Sequence, residues 1–282
     1  MATVKHRKLF KFHMLFFFFL FGCATGTPPI LQEDAVTFSY GAGTEKFTEA
    51  AHIDGIFKAI ARIEANSGGR RYPPFRVALM LKPPSLMRIE TIPAIGPPDF
   101  FLALTHDTLK AFLPAKQEFY QGRASRENLA LFFPVSLPPE DMVHILMGTP
   151  PGITGKNLTF REGAADGKRW LDVSSPDGKK IMALRMDGVA NRLAEMDIFA
   201  PNGEILYTAS YNEYSRVGDN IDLPQRITIL LSETNLTVAV RYSDMELSRE
   251  TDETLFDLAL PPGLTPIILD PGDTGASMKE NK

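Results

Sequence analysis

The chain has 282 residues, of which 44% are hydrophobic and 23% are charged, and its formal net charge is −4. Its lysines and arginines are scattered along a mildly acidic sequence and form no basic stripe to collect phosphates, which argues against a nucleic-acid-binding protein. The single cysteine excludes a disulfide within the chain. The composition is otherwise that of an ordinary globular protein.

The first 22 residues have the pattern of a signal peptide. Lys5 and Lys8 contribute to a positively charged start, and the apolar run from Met14 to Phe21 is too short to span a bilayer. Gly22 then precedes Cys23, the only cysteine. A charged start, a short apolar run and a small residue at its end are typical of a segment that is cleaved and removed.

The residues Leu20-Phe21-Gly22-Cys23 resemble the lipobox of bacterial lipoproteins, with Phe21 where a small residue is usual. The resemblance implies that Cys23 becomes the N-terminus and carries acyl chains such as palmitate, and two or more chains give stable anchoring. Ala24 follows instead of aspartate, which in this sorting pattern implies the outer membrane, facing the periplasm. A secretory signal without lipid is the alternative.

The flanking segments are predicted to lack packed structure. Residues 23–45 form a lipidated N-terminus and a flexible tether, because glycine and proline recur in them. Residues 266–282 form a disordered tail, because their last part is too polar to pack. Residues 46–265 between them form one domain, without an internal repeat or a second linker.

The domain opens with a pattern that predicts a helix. Apolar residues recur at three- and four-residue spacing from Phe47 to Ile63, and Ser67-Gly68-Gly69 ends the pattern. From Phe75 to Lys82 the period changes to two, which predicts a strand with one buried face. We expect the helix to lie on the sheet that this strand begins.

Further strands and two short helices follow. The helices are predicted at Ser125–Phe133 and from Pro138 to Gly148. Their short connections favour antiparallel pairing, since parallel crossovers need a dozen or more residues. The strands are predicted at Met87–Glu90, Phe100–Thr105, Leu109–Leu113, Arg169–Val173, Ile181–Met186, Leu193–Phe199, Ile205–Tyr214, Arg226–Leu231 and Leu236–Leu247. The pattern indicates a mainly β (α+β) fold, one continuous curved antiparallel sheet with helices against its concave face.

Short motifs between residues 82 and 148 occur in the order of a known family. They are Lys82-Pro83, Arg88-Ile89-Glu90, Pro93-Ala94-Ile95-Gly96, Phe119-Tyr120-Gln121-Gly122, Glu127-Asn128-Leu129, Leu137-Pro138-Pro139-Glu140 and Leu146-Met147-Gly148. This series resembles LolA and LolB, the periplasmic carriers of the lipoprotein localisation pathway. The resemblance implies an open half-barrel of about ten to eleven strands, with helices as a lid over an apolar cavity for acyl chains.

The lipobox favours the LolB type, which is itself an outer-membrane lipoprotein. The resemblance then implies a protein that receives or inserts lipoproteins, with lipoprotein acyl chains or another lipid as ligand. Its partners would be a LolA-like periplasmic carrier and the inner leaflet of the outer membrane, and no nucleic acid. We expect a monomer. A non-catalytic envelope scaffold that binds another lipid or a protein through the same fold is the alternative.

Two kinds of site follow from this resemblance. Ile95 occupies the place of an exposed aliphatic residue that enters the membrane, although a loop tucked against a neighbouring core would fit the same residues. The inner faces of the strands and the lid supply candidates for an acyl-chain lining, which an ordinary filled core would also contain. These candidates are Val77, Leu79, Met87, Ile89, Leu129, Ile145, Leu146, Met182, Leu184 and Met196.

Catalytic motifs are missing from the sequence. It contains no Gly-x-Ser-x-Gly, no His-Glu-x-x-His and no cysteine pair, so we expect no enzyme, no catalytic residue, no metal and no cofactor. The glycine-rich segment from Gly163 to Arg169 lacks the spacing and the Ser or Thr of a phosphate-binding loop. A hydrolase with an unfamiliar site is a distant third hypothesis.

Overall fold

The computed structural model describes residues 53, 55–152, 158–165, 167–187, 192–218 and 221–270. The chain divides into two units, residues 1–33 and 34–282, and every described residue belongs to the second. The predicted signal peptide, Cys23 and the tether lie outside the described residues. Within the described ranges, no helix has the length and apolar character needed to cross a membrane.

Fifteen strands of the described chain form one sheet. In chain order they are β1 Ile56–Ser67, β2 Arg70–Arg71, β3 Phe75–Lys82, β4 Leu86–Thr91, β5 Phe101–Leu104, β6 Thr108–Leu113, β7 Glu118–Arg123, β8 Thr159–Ala165, β9 Lys168–Ser174, β10 Lys180–Asp187, β11 Arg192–Phe199, β12 Ile205–Val217, β13 Ile221–Leu231, β14 Leu236–Ser248 and β15 Ile267–Ile268.

The strands follow each other across the sheet in the order β15-β7-β6-β5-β4-β3-β1-β14-β13-β12-β11-β10-β9-β8, with β2 beside β1. Most neighbours along the chain pair antiparallel through short turns, whereas β15 pairs with β7 in parallel. The sheet does not close, because β15 and β8 are its two ends. The predicted open, curved antiparallel sheet with few helices is therefore confirmed.

Two α-helices lie between β7 and β8, where the sequence places them. The first, α1, spans Arg126–Ala130, and the Ser125 side chain caps it by accepting a hydrogen bond from the Asn128 amide. The second, α2, spans Pro139–Met147 and ends at Gly148, whose φ of 69° is one that glycine adopts without strain. The buried side chains of α2, among them Ile145, join the large apolar cluster on the inner face of the sheet.

The helix predicted from Phe47 to Ile63 is wrong for residues 56–63, which belong to β1. This strand lies in the middle of the sheet, between β3 and β14, and its first part is buried on both faces. Phe57 packs into the inner cluster, while Ile56 packs against Leu86 on the other side. Apolar residues facing both ways produced the spacing that imitates a helix. Residues 47–52 lie outside the described residues.

The predicted disordered tail is wrong for residues 266–270. Ile267 and Ile268 pair with Tyr120 and Gln121 of β7. The Asp270 carboxylate then accepts hydrogen bonds from the Arg123 amide at 2.7 Å and from the Asn128 side-chain amide at 3.0 Å. A two-residue strand carries too little pattern to be recognised without its partner. Residues 271–282 lie outside the described residues.

Residues 252–264 form a strap across the outer face of the sheet, opposite the helices. The Arg88 guanidinium donates to the carbonyl oxygens of Leu255 and Asp257 at 3.0 and 2.8 Å. The strap buries Phe256 completely in a cluster with Ile56 and Leu86. The strap therefore gives this half of the sheet a second apolar layer, separate from the inner cluster.

Candidate functional site

The inner face of the sheet is covered by a lid, which we define as residues 133–147, the loop before α2 together with α2 itself. Two tyrosines of the sheet hold α2 at its two ends. Tyr207 of β12 donates a hydrogen bond from its hydroxyl to the Asp141 carboxylate at 3.0 Å, and Tyr242 of β14 donates to the Leu146 carbonyl oxygen at 2.9 Å. The lid is thus attached to the sheet by few polar contacts.

The titratable groups of α2 are partly removed from water. Burial raises the pKa of Asp141, which the hydrogen bond from Tyr207 opposes, and burial also raises the pKa of Tyr207. Burial lowers the pKa of His144, whose Nδ1 lies 2.9 Å from the Thr149 hydroxyl. Within the described ranges, no three His, Cys, Asp or Glu side chains lie close enough together to hold a metal ion.

A cavity of about 90 Å³ lies between the lid and the sheet. Its lining is entirely apolar. The sheet contributes Ile63, Ala65, Phe75, Ile89, Ile229, Val238 and Val240, and the lid contributes Phe133, Pro134, Val135, Leu137, Met142, Ile145 and Leu146. Ordinary small-molecule sites measure about 300–1,000 Å³. The cavity is therefore chemically suited to a hydrocarbon chain but too small in this state to enclose a long one.

Three of the ten predicted lining residues, Ile89, Ile145 and Leu146, line this cavity. The other seven are buried in the apolar core around it and do not reach it. They are Val77, Leu79, Met87, Leu129, Met182, Leu184 and Met196. The interior thus combines a filled core with a small apolar space.

Most of the cavity lining was missed from the sequence. Ile229, Val238 and Val240 alternate with more exposed residues in strands that were correctly located, so their period of two could have identified them. Ile63 was not predicted to line the cavity, because the sequence predicted a helix where β1 lies. The lid loop before α2 has no periodicity at all, and no sequence signal marks it as a wall of the cavity.

A second space lies next to this cavity. An open pocket of about 350 Å³ lies beside the β4–β5 connection, and Phe75 lines both spaces. Phe100, which lines the open pocket, makes an edge-to-face contact with Phe133 of the lid, with ring centroids 5.9 Å apart. Phe75 is 41% exposed. The two spaces are therefore neighbours that share aromatic lining residues.

The Ile95 loop, residues 92–99, projects next to this pocket. Ile95 is 93% exposed, so its side chain is not tucked against a neighbouring core, as one interpretation of the sequence proposed. The Thr91 hydroxyl accepts hydrogen bonds from the amides of Asp99 and Phe100 and fixes the base of the loop. An aliphatic side chain so exposed at a loop tip gains nothing from the fold itself.

No family model matches the sequence, and no curated protein matches it. Solved structures share its fold, and three of them are the following. A LolA superfamily protein of Nitrosomonas europaea is 17% identical with a TM-score of 0.55, covering 79% of this chain and 99% of its own. A DUF1329 family protein of Desulfovibrio piger is 12% identical with a TM-score of 0.54, covering 76% of this chain and 94% of its own.

The third is a domain of Vibrio parahaemolyticus described as an outer membrane lipoprotein-sorting protein. It is 15% identical with a TM-score of 0.52, covering 76% of this chain and 96% of that domain. Likeness at these identities concerns the fold alone. The open, curved antiparallel sheet with few helices thus matches the LolA-like fold.

Proposed function

We propose that this protein is a lipoprotein anchored through Cys23 in the outer membrane and facing the periplasm. It binds acyl chains between the lid and the sheet and receives or inserts lipoproteins, as LolB does. The observation that carries this proposal is the wholly apolar cavity beneath the lid. The proposed role is non-enzymatic and needs no cofactor, and the protein acts as a monomer with a LolA-like carrier as its partner.

Binding a long acyl chain requires the lid to move, because the cavity of about 90 Å³ is too small for it. The two tyrosine hydrogen bonds to α2 contribute about 0.5–1.5 kcal/mol each. A sixteen-carbon chain gains on the order of 12 kcal/mol when it leaves water for an apolar enclosure. The acyl chain would replace the apolar contacts of the lid with contacts of the same kind. The free energy gained by burying the chain therefore exceeds the cost of displacing the lid.

Transfer to a membrane then needs no energy source. A bilayer offers the same chain a similar gain per methylene, so carrier and membrane nearly balance. Small differences in affinity decide the direction of transfer. The fold shared with the Vibrio parahaemolyticus domain, described as a lipoprotein-sorting protein, supports a lipoprotein as the cargo.

A second candidate function is a non-catalytic envelope scaffold that binds another lipid or a protein partner. The filled core around the cavity favours it, since seven of the ten predicted lining residues pack there and leave only about 90 Å³ beneath the lid. The two candidates differ in whether the space beneath the lid takes an acyl chain.

Leu146→Phe should lower the affinity for a fluorescent fatty acid by about tenfold, because the added ring occupies the space of about two methylenes. Its free energy of unfolding should change little, since Leu146 borders the cavity. Leu79→Phe is the matched control, because Leu79 lies in the filled core and overpacking there costs about 1–3 kcal/mol. Fatty-acid titration and thermal melts measure both effects. A parent protein without fatty-acid affinity would support the scaffold.

The anchor is tested separately. Cys23→Ser should move the protein from the membrane fraction to the soluble periplasmic fraction or leave the precursor uncleaved, because no other cysteine can accept the lipid. Fractionation and labelling with a fatty-acid probe measure this. Unchanged labelling of Cys23→Ser would contradict the lipoprotein assignment.

A further inference from the structure

Four arginines from four neighbouring strands lie side by side on the outer face of the sheet. In the register of the strands, Arg62 of β1 is directly opposite Arg76 of β3 and Arg241 of β14. Arg241 in turn is opposite Arg226 of β13. Directly opposite residues of antiparallel strands share a face, and all four are exposed. We name these four residues the arginine row.

The arginine row faces away from the cavity, because side chains alternate along a strand. Ile63, Phe75 and Val240 are sequence neighbours of Arg62, Arg76 and Arg241, and these three line the cavity on the inner face. With strands about 4.8 Å apart, the row extends about 14 Å across the sheet. The sequence predicted no basic stripe. That prediction is wrong, because these four arginines are far apart along the chain and become neighbours only through the register of the strands.

The carboxylates in contact with the row do not balance its charge. Glu64 lies 2.9 Å from Arg62, and Glu213 lies 2.9 Å from Arg241 and 3.3 Å from Arg226. Two carboxylates therefore serve four arginines, and Arg76 has no carboxylate partner among the described residues. Like charges directly opposite each other destabilise a sheet. An anionic ligand would remove this repulsion.

The row begins beside the Ile95 loop. The Ile92 amide donates a hydrogen bond to the Arg76 carbonyl oxygen at 2.8 Å, so the loop leaves the sheet at the first arginine. An exposed aliphatic tip next to exposed cations is the arrangement of proteins that bind membrane surfaces, in which apolar groups enter the acyl region and cations stay near the phosphates.

We infer that the arginine row binds the phosphate headgroups of anionic lipids and orients the domain with its Ile95 loop towards the bilayer. The inference rests on the proposed function only for the identity of the cargo, a lipoprotein, that the domain would deliver to the bilayer. The binding itself depends on the charges of the row and the exposed loop, and not on the cavity, so the two can fail separately.

The test uses the mature chain, residues 23–282, with Cys23→Ser so that no acyl group attaches it to vesicles. We expect it to bind vesicles of phosphatidylcholine with phosphatidylglycerol more tightly than vesicles of phosphatidylcholine alone, and added salt should weaken the binding. Each cation near an anionic surface contributes about a fivefold gain in partitioning, so Arg62→Gln/Arg241→Gln should lose about 30-fold. Arg62→Lys/Arg241→Lys keeps the charges and should retain most of the binding.

Lys116→Gln/Lys179→Gln is the matched control, because it removes the same charge from exposed positions elsewhere. Equal binding to both vesicle types, or an equal loss in this control, would overturn the inference. Binding of a DNA duplex with the same arginine dependence, without vesicle binding, would also overturn it. Fluorescent fatty-acid titration of the same samples tests the cavity independently: absent fatty-acid binding with intact vesicle binding counts against the proposed function alone.

Discussion

Ile95→Glu is expected to fold and to bind fatty acid like the parent, yet to lose transfer of lipoprotein to vesicles by on the order of 100-fold. The side chain is 93% exposed and lies outside the cavity, so the substitution removes no packing. The loss comes from moving a carboxylate towards hydrocarbon, which costs about 2.5–3.5 kcal/mol on insertion scales. The charge rather than the lost bulk is therefore decisive.

The measurement is transfer of a lipoprotein from a LolA-like carrier to vesicles, with circular dichroism melts recorded on the same samples. Ile95→Leu is the control and should behave like the parent, because it keeps an aliphatic tip. Normal transfer by Ile95→Glu would contradict the prediction that the loop inserts into the membrane. A collapsed melt would show instead that Ile95 contributes to the core.

Phe256→Ala should destabilise the protein by about 3–5 kcal/mol, the usual cost of truncating a buried aromatic side chain. Phe256 is completely buried on the outer face between Ile56 and Leu86, and Arg88 fixes the backbone on both sides of it. In a domain of this size the melting temperature should fall by about 6–20 °C. Fatty-acid affinity well below the melt should stay unchanged, because the cavity lies on the other face.

Leu260→Ala is the matched control in the same strap. Leu260 is 43% exposed, and truncating it should change the free energy of unfolding by less than about 0.5 kcal/mol. Thermal melts of both variants give the comparison. If Phe256→Ala melted like Leu260→Ala, the strap would not be part of the cooperative fold.

Much of the sheet could be predicted from the sequence, because most neighbouring strands are also neighbours along the chain. Alternation located β3 and β9 to β14, and the cap at Ser125 and the stop at Gly148 located both helices. The errors at β1 and β15 have different origins. The apolar residues of β1 face both sides of the sheet and imitate helical spacing, whereas β15 pairs with β7, which is remote in sequence.

The site was less predictable than the sheet. Residue type does not distinguish a filled core from a cavity. Leu79 and Leu146 were therefore equally good candidates for the cavity lining, although of these two only Leu146 borders the cavity. The arginine row could not be predicted from the sequence, for a related reason. Its members belong to strands whose order across the sheet is β3-β1-β14-β13, and this order follows from pairing rather than from local pattern.

The pairing of β1 with β14 also determines when the cavity can form. These two strands join the halves of the sheet, yet residues 56–67 emerge from the ribosome long before residues 236–248. At about 5–20 residues per second, this gap lasts on the order of 10–40 s. Hairpins within each half need only nearby residues, whereas β1 cannot pair with β14 until residues 236–248 are available.

The cavity draws its lining from both halves, including Ile89 of β4 and Ile229 of β13. A chain synthesised only as far as β13 therefore lacks part of the lining. The same strand order that builds the cavity thus delays its completion until β14 has been synthesised.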